Sequence, residues 1–189
     1  AGWLEGGRRL YYVSEADGYA HLYTVNADGS DKRQMTTGKW EVTGVSLSRD
    51  RKSFFLTSSE ESVFESHFYR MPVTGGPRVK LTGPVGGHDV TLSPDESMIA
   101  DVYSQSNRPP ELFISRNEAG AAASQLTTSP TAAWVGHRWI KPEIVRIPAS
   151  DGVQVPGRIY RPKDVGARPN GAAVVFVHGY NVSFQEAAL

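Results

Sequence analysis

A chain of 189 residues whose 20 basic and 20 acidic side chains cancel can hold a core but offers no electrostatic footprint for nucleic acid or an anionic membrane. Its 39% hydrophobic and 21% charged residues are ordinary globular proportions, and the absence of cysteine excludes disulfides, thiolate nucleophiles and cysteine-based zinc sites while leaving the compartment open. No apolar run approaches the about 18 residues of a membrane span, and Ala1-Gly2-Trp3 is not a signal peptide, so any targeting segment is expected upstream.

Residues 10–14 and 20–25 read as two strands around the turn Ala16-Asp17-Gly18-Tyr19, because Asp-Gly accepts the positive φ of a tight hairpin. Asn26-Ala27-Asp28-Gly29 turns the chain again, residues 33–36 form a short strand, and Trp40-Glu41-Val42 opens a new unit. Residues 54–58 and 67–71 repeat the strand pair, with Thr74-Gly75-Gly76 as the next turn. A third copy runs from Val90 through residues 99–103 to residues 112–115.

Two turns, Leu47-Ser48-Arg49-Asp50 and Leu92-Ser93-Pro94-Asp95-Glu96, hold one slot in this pattern, and their aspartates stand 45 residues apart. Pro94 presets φ for the turn, while Ser93 and Asp95 bond the nearby backbone. The aromatic positions Tyr23, Tyr69 and Phe113 are spaced by 46 and 44 residues, and Thr36, Thr82 and Thr127 by 46 and 45. A period of about 40 to 50 residues built from short strands and Gly/Asn/Asp turns is that of a four-stranded propeller blade. Three copies do not close a ring of about four to eight blades, so the expectation is either that more blades lie upstream or that this chain is an excerpt.

Between Ser129 and Pro142 the period stops. Residues 144–147 and 153–160 form another hairpin around Ser150-Asp151-Gly152, and residues 163–171 are a polar loop. Residues 172–177 are a continuous apolar run of the kind that forms a strand buried on both faces of an α/β sheet. His178-Gly179-Tyr180-Asn181 follows, and Ser183 with Glu186 fits a capping box at a helix start. The expectation is a mainly β chain: partial propeller of about three four-stranded blades at 1–130, an interdomain linker at 131–142, and the opening strands of an α/β-hydrolase domain at 143–189.

Several of these stretches resemble one family. Tyr12-Val13-Ser14-Glu15 with Asp17-Gly18-Tyr19 and His21-Leu22-Tyr23, the segment Thr37-Gly38-Lys39-Trp40-Glu41-Val42, Gly87-His88 ahead of Leu92-Ser93-Pro94-Asp95, and Tyr103-Ser104 before Pro109-Pro110 resemble late propeller blades of the prolyl oligopeptidase family, in its dipeptidyl peptidase IV-like branch. Ser150-Asp151-Gly152 and Tyr160-Arg161-Pro162, leading to Val175-Phe176-Val177-His178-Gly179, resemble the hairpin and first buried strand of that family's hydrolase domain. The resemblance implies a serine peptidase whose propeller limits access to short peptides, often with proline beside the cleaved bond, and whose Ser-His-Asp triad follows the position of Leu189. It implies a periplasmic or secreted location and a short peptide substrate. A homo-oligomer or a complementing chain is a further expected partner, because the apolar run at 174–177 has no sheet neighbours of its own in this sequence. No cofactor is expected.

No triad residue is identifiable in this chain. A nucleophile elbow needs G-x-S-x-G, and Gly44-Val45-Ser46-Leu47-Ser48 lacks the second glycine and sits in a blade. The chain alone is therefore expected to hydrolyse nothing. After His178-Gly179 the sequence departs from the branch toward esterase- or lipase-type hydrolases. His178, Gly179 and Tyr180 are the oxyanion-side candidates, since such a turn after a buried strand can supply an N–H donor and a tyrosine hydroxyl can assist; a purely structural glycine turn is the rival. Glu60-Glu61 resembles the paired glutamates that anchor a substrate amine in this branch, yet lies in a later segment, so a solvated loop pair is preferred. Asp101 reads as structural. His21, His67, His88 and His137 show no metal-ligand spacing, so no metal is expected and packing or surface roles are favoured. Trp3, Trp40, Trp134 and Trp139 read as packing residues, the last two flanking the domain junction. Two alternatives stay open: a non-catalytic binding propeller of periplasmic scaffold type, and an esterase- or lipase-type hydrolase carrying a propeller.

Overall fold

The computed structural model describes residues 1–176. Three four-stranded antiparallel meanders follow one another: β1 (Gly2–Leu4), β2 (Arg9–Ser14), β3 (His21–Asn26) and β4 (Arg33–Gln34); β5 (Val42–Leu47), β6 (Ser53–Ser58), β7 (His67–Pro72) and β8 (Val79–Lys80); β9 (Gly87–Leu92), β10 (Met98–Gln105), β11 (Arg108–Arg116) and β12 (Ser124–Gln125). Strand order within each sheet follows chain order, the arrangement of propeller blades. The expected period is thus the repeat of one supersecondary unit.

The turns follow from their residues. Asp50 accepts from the Ser48 hydroxyl at 2.7 Å and from Lys52 N at 3.0 Å, and Asp95 accepts from the Ser93 hydroxyl at 2.6 Å and from Ser97 N at 3.1 Å. Each turn places one residue in the left-handed region, Arg51 at φ 60° and Glu96 at φ 61°. The two turns also meet, because Arg49 N donates to Glu96 Oε1 at 2.8 Å and the Arg49 guanidinium donates to Pro94 O.

Alternate side chains of β6 point to opposite neighbours. Phe54 and Leu56 join Leu4, Leu22, Trp40, Val42, Tyr69 and Met71 in a cluster between the first and second blades. Phe55, with Phe68, Leu81 and Ile99, forms the cluster between the second and third. This period-2 division lets one strand seal two junctions.

Beyond the third blade, α1 (Ala132–Gly136) is capped by Thr131, whose hydroxyl accepts from Trp134 N at 3.2 Å. The expected hairpin is present as β13 (Glu143–Pro148) and β14 (Gln154–Ile159), closed by Gly152 N donating to Ala149 O at 3.0 Å. The buried strand expected at 172–177 is not found over 172–176, which form no strand, with Val174 98% and Phe176 83% exposed. No described strand lies alongside to take the backbone groups of 172–176, and an apolar run becomes a buried strand only inside a sheet. No α/β layer is present among the described residues.

Candidate functional site

The meander order puts the β2–β3, β6–β7 and β10–β11 loops and the links between blades at one end of the three sheets. At this end the first residue or early residue of each third strand meets a threonine from the following link. His21 Nδ1 lies 3.0 Å from Thr36 Oγ1, and His67 Nδ1 lies 3.0 Å from Thr82 Oγ1. In the third blade Glu111 takes the slot and accepts from the Thr127 hydroxyl. Each threonine oxygen also accepts the next backbone N–H, from Leu22 at 3.0 Å, Phe68 at 3.1 Å and Leu112 at 2.8 Å. The same threonine device therefore closes all three blades, buried in the first two and exposed at Thr127 in the third.

Glu111 also accepts from Ser129 N and the Ser129 hydroxyl, each at 2.6 Å, and these donors hold its carboxyl below the usual range. The chain thus leaves the propeller at the end that carries the polar side chains.

Between the first two blades Trp40 meets His21 edge-on, ring centroids 4.8 Å apart, and carries the Arg78 guanidinium 4.9 Å over its face. Arg78 pairs with Glu60, its Nε 2.7 Å from Oε2, and Lys80 pairs with Glu61 at 2.7 Å. Glu60 and Glu61 are accordingly bound to the outer edge of their own blade. The Lys80 hydrogen bond lowers the Glu61 pKa, and the Glu60 hydrogen bond raises that of Arg78. Tyr69 is buried beneath them; burial first, and the Glu61 charge second, push its phenol well above the ordinary value.

Between the second and third blades two histidines lie tilted against each other. His67 and His88 have ring centroids 5.0 Å apart, and His88 stacks on Tyr103 at 4.8 Å. His67 Nε2 lies 2.9 Å from Glu65 Oε2, and His88 Nδ1 lies 2.6 Å from Asp101 Oδ2. Burial is the larger influence on His67 and lowers its pKa, against the Glu65 hydrogen bond that raises it. Asp101 thus supports a buried histidine, in keeping with a structural role.

His178, Gly179 and Tyr180 lie outside the described residues. Ser46 lies within β5, in no strand-to-helix elbow. Trp40 is a blade-to-blade packing residue, whereas Trp3 is half exposed; Trp134 and Trp139 pack on each other, centroids 4.9 Å apart, with Trp139 Nε1 donating to Trp134 O at 2.9 Å. Sequence reasoning passed over the position before each Leu/Phe-aromatic pair. His21, His67 and Glu111 repeat with the period of the blades, and that recurrence was the available signal.

Residues 2–110 match the model of the family described as the dipeptidyl peptidase IV (DPP IV) N-terminal region. Among curated relatives, the dipeptidyl peptidase 4 of Arthroderma otae is 41% identical over 63 residues, 31% of this chain and 8% of that protein. The probable dipeptidyl peptidase 4 of Emericella nidulans is 37% identical over 62 residues, again 31% and 8% of the two chains, and the dipeptidyl-peptidase 5 of Porphyromonas endodontalis is 34% identical over 56 residues, 30% and 8%. The matched stretches thus span less than a tenth of these relatives. The crystal structure of Porphyromonas gingivalis dipeptidyl peptidase 4 superposes with a TM-score of 0.65 at 24% identity, over 82% of this chain and 22% of that one, which supports the propeller fold. With more than half of its length matched by one family model, the chain belongs to the family of the dipeptidyl peptidase IV N-terminal region.

Proposed function

We propose that this chain is the late propeller of a serine peptidase of dipeptidyl peptidase IV type, with blades at 1–130, a linker at 131–142 and the approach to the hydrolase domain at 143–189. The family match carries the reading, and the named relatives are dipeptidyl peptidases. Glu111 ties Ser129 to the end of the blades that bears Glu60, Glu61, His67 and Trp40, which supports a reading in which that end faces the catalytic domain and the peptide that must pass to it.

In this reading the propeller positions and admits substrate and the chemistry lies elsewhere. A serine hydroxyl attacks the peptide carbonyl, a histidine takes its proton, an aspartate orients the histidine, and donors among His178, Gly179 and Tyr180 hold the oxyanion. The triad belongs to sequence beyond Leu189.

The test is intact-mass spectrometry of the natural protein before and after a fluorophosphonate that labels activated serines. We expect one adduct on a species longer than these 189 residues, and release of dipeptides from peptides with proline at the second position. A longer species with no adduct, or an adduct with ester cleavage but no dipeptide release, would sink the reading.

A further inference from the structure

Glu61, Glu65 and His67 each bring one ligand atom into a group whose members all lie within 4.8 Å of one another, at the end of the second blade. We propose that these three side chains form a site for a late first-row divalent metal, with Zn²⁺ as its best fit and Lys80 as a built-in competitor. The inference does not depend on the peptidase reading.

The argument begins with His67, which is fully buried and opens β7. Its Nδ1 faces Thr82 Oγ1 at 3.0 Å, which orients the ring, and its Nε2 shares a proton with the Glu65 carboxylate 2.9 Å away; a metal would take the place of that proton, the ring then keeping its proton on Nδ1 toward Thr82 Oγ1. A ligating histidine held through its other nitrogen is the usual support for a metal. His21 makes the same threonine contact, but its Nε2 lies 3.0 Å from Gly38 O. That acceptor is a neutral backbone carbonyl, whereas the acceptor facing His67 is a carboxylate, a ligand that Zn²⁺ takes. The two equivalent histidines thus differ in what faces them, and among the described residues only His67 joins two carboxylates in one such group.

The loop between β6 and β7 presents those carboxylates. Glu65 N donates to Ser62 O at 3.0 Å and Phe64 N to the Ser62 hydroxyl at 3.2 Å, a local turn that brings Glu65 back over His67. A second observation is Tyr69, only 4% exposed, whose hydroxyl oxygen is buried without a well-formed hydrogen bond and has Glu61 as its strongest charged neighbour. Such a group asks for a fixed acceptor, and a Glu61 carboxylate bound to a metal through one oxygen offers its other oxygen to Tyr69.

One imidazole and two carboxylates are a zinc donor set with a fourth position open. Calcium and magnesium prefer more oxygen ligands and no imidazole. Metal–ligand bonds of about 2.0–2.2 Å need this group to contract by a modest side-chain movement. Lys80 now holds Glu61 at 2.7 Å, and a metal has to displace its ammonium.

The experiment is isothermal titration of the full chain, stripped with chelator, against ZnSO₄, with CaCl₂ and MgCl₂ as controls, and Co²⁺ as a visible-absorption reporter of an imidazole-carboxylate site. We expect one Zn²⁺ site, weakened at least about 10-fold by Glu65→Gln and strengthened by Lys80→Met, with no change in His137→Ala. Far-UV circular dichroism checks folding; should Glu65→Gln unfold, the gain in Lys80→Met still decides. Absence of a Zn²⁺ site, indifference to both variants, or equal binding of Ca²⁺ would overturn the proposal.

Discussion

The two junctions between blades use the same positions for different chemistry. The first is closed by eight buried side chains with Trp40 laid against His21, while the second has four buried apolar residues and fills the rest with His67, His88 and Tyr103. Dispersion and apolar burial are non-directional and tolerate small shifts, whereas a stacked, hydrogen-bonded ring column depends on every partner being in place. The lesson is that a repeat conserves geometry without conserving the source of its stability.

The largest effect should come from truncating the residues that face the preceding blade. Phe54 and Ile99 hold equivalent positions in β6 and β10 and are 0% and 1% exposed. Phe54→Ala is expected to cost about 3–5 kcal/mol and Ile99→Ala about 2–5 kcal/mol, with Phe54 the costlier because its cluster is larger. Urea denaturation of both variants measures the order, and a reversal would break the contrast between an apolar and a polar junction.

Next come two glycines beside the junction aromatics. A Cβ on Gly86 would lie 2.3 Å from Ser104 O, a backbone atom, at φ +149°; one on Gly38 would meet Trp40 Nε1 at 2.1 Å, at φ +140°. Side chains yield more readily than backbone, so Gly86→Ala should lower the melting temperature more than Gly38→Ala, while only Gly38→Ala perturbs Trp40 fluorescence. Equal losses would mean that both junctions deform alike.

The smallest effect is sought at the far end of the second junction. Hydrogen bonds from Ser93 and Ser97 lower the Asp95 pKa to about 2. A depressed carboxylate stabilises the fold above its ordinary titration range near pH 4 and loses that contribution as pH falls through about 2. Asp95→Asn should therefore flatten the dependence of stability on pH between about 4 and 2. An unchanged slope would show that the hydrogen bonds from Ser93 and Ser97 do not hold Asp95 ionised in the fold.

Much of the propeller was legible because its signals are local. Asp17-Gly18, Ser48-Arg49-Asp50 and Ser93-Pro94-Asp95 act on backbone within a few residues, and the structure places turns at all three. The polar end was harder. Glu60 and Glu61 read as solvated, yet Arg78 and Lys80 pair with them from 18 and 19 residues away. Those partners share no spacing rule with the loop, and only the pairing of β7 with β8 brings them near.

The sequence by itself determined the strands, the turns and the period of the three blades, since alternation and turn chemistry require no knowledge of distant neighbours. Tertiary structure alone decided that His67 lies among Glu61, Glu65 and Thr82, that His88 leans on Asp101, and that residues 172–176 have no described sheet to join. The physical reason is range. A turn closes over a few bonds of its own backbone, but a buried polar group or a central strand is satisfied only by whatever the rest of the fold places beside it.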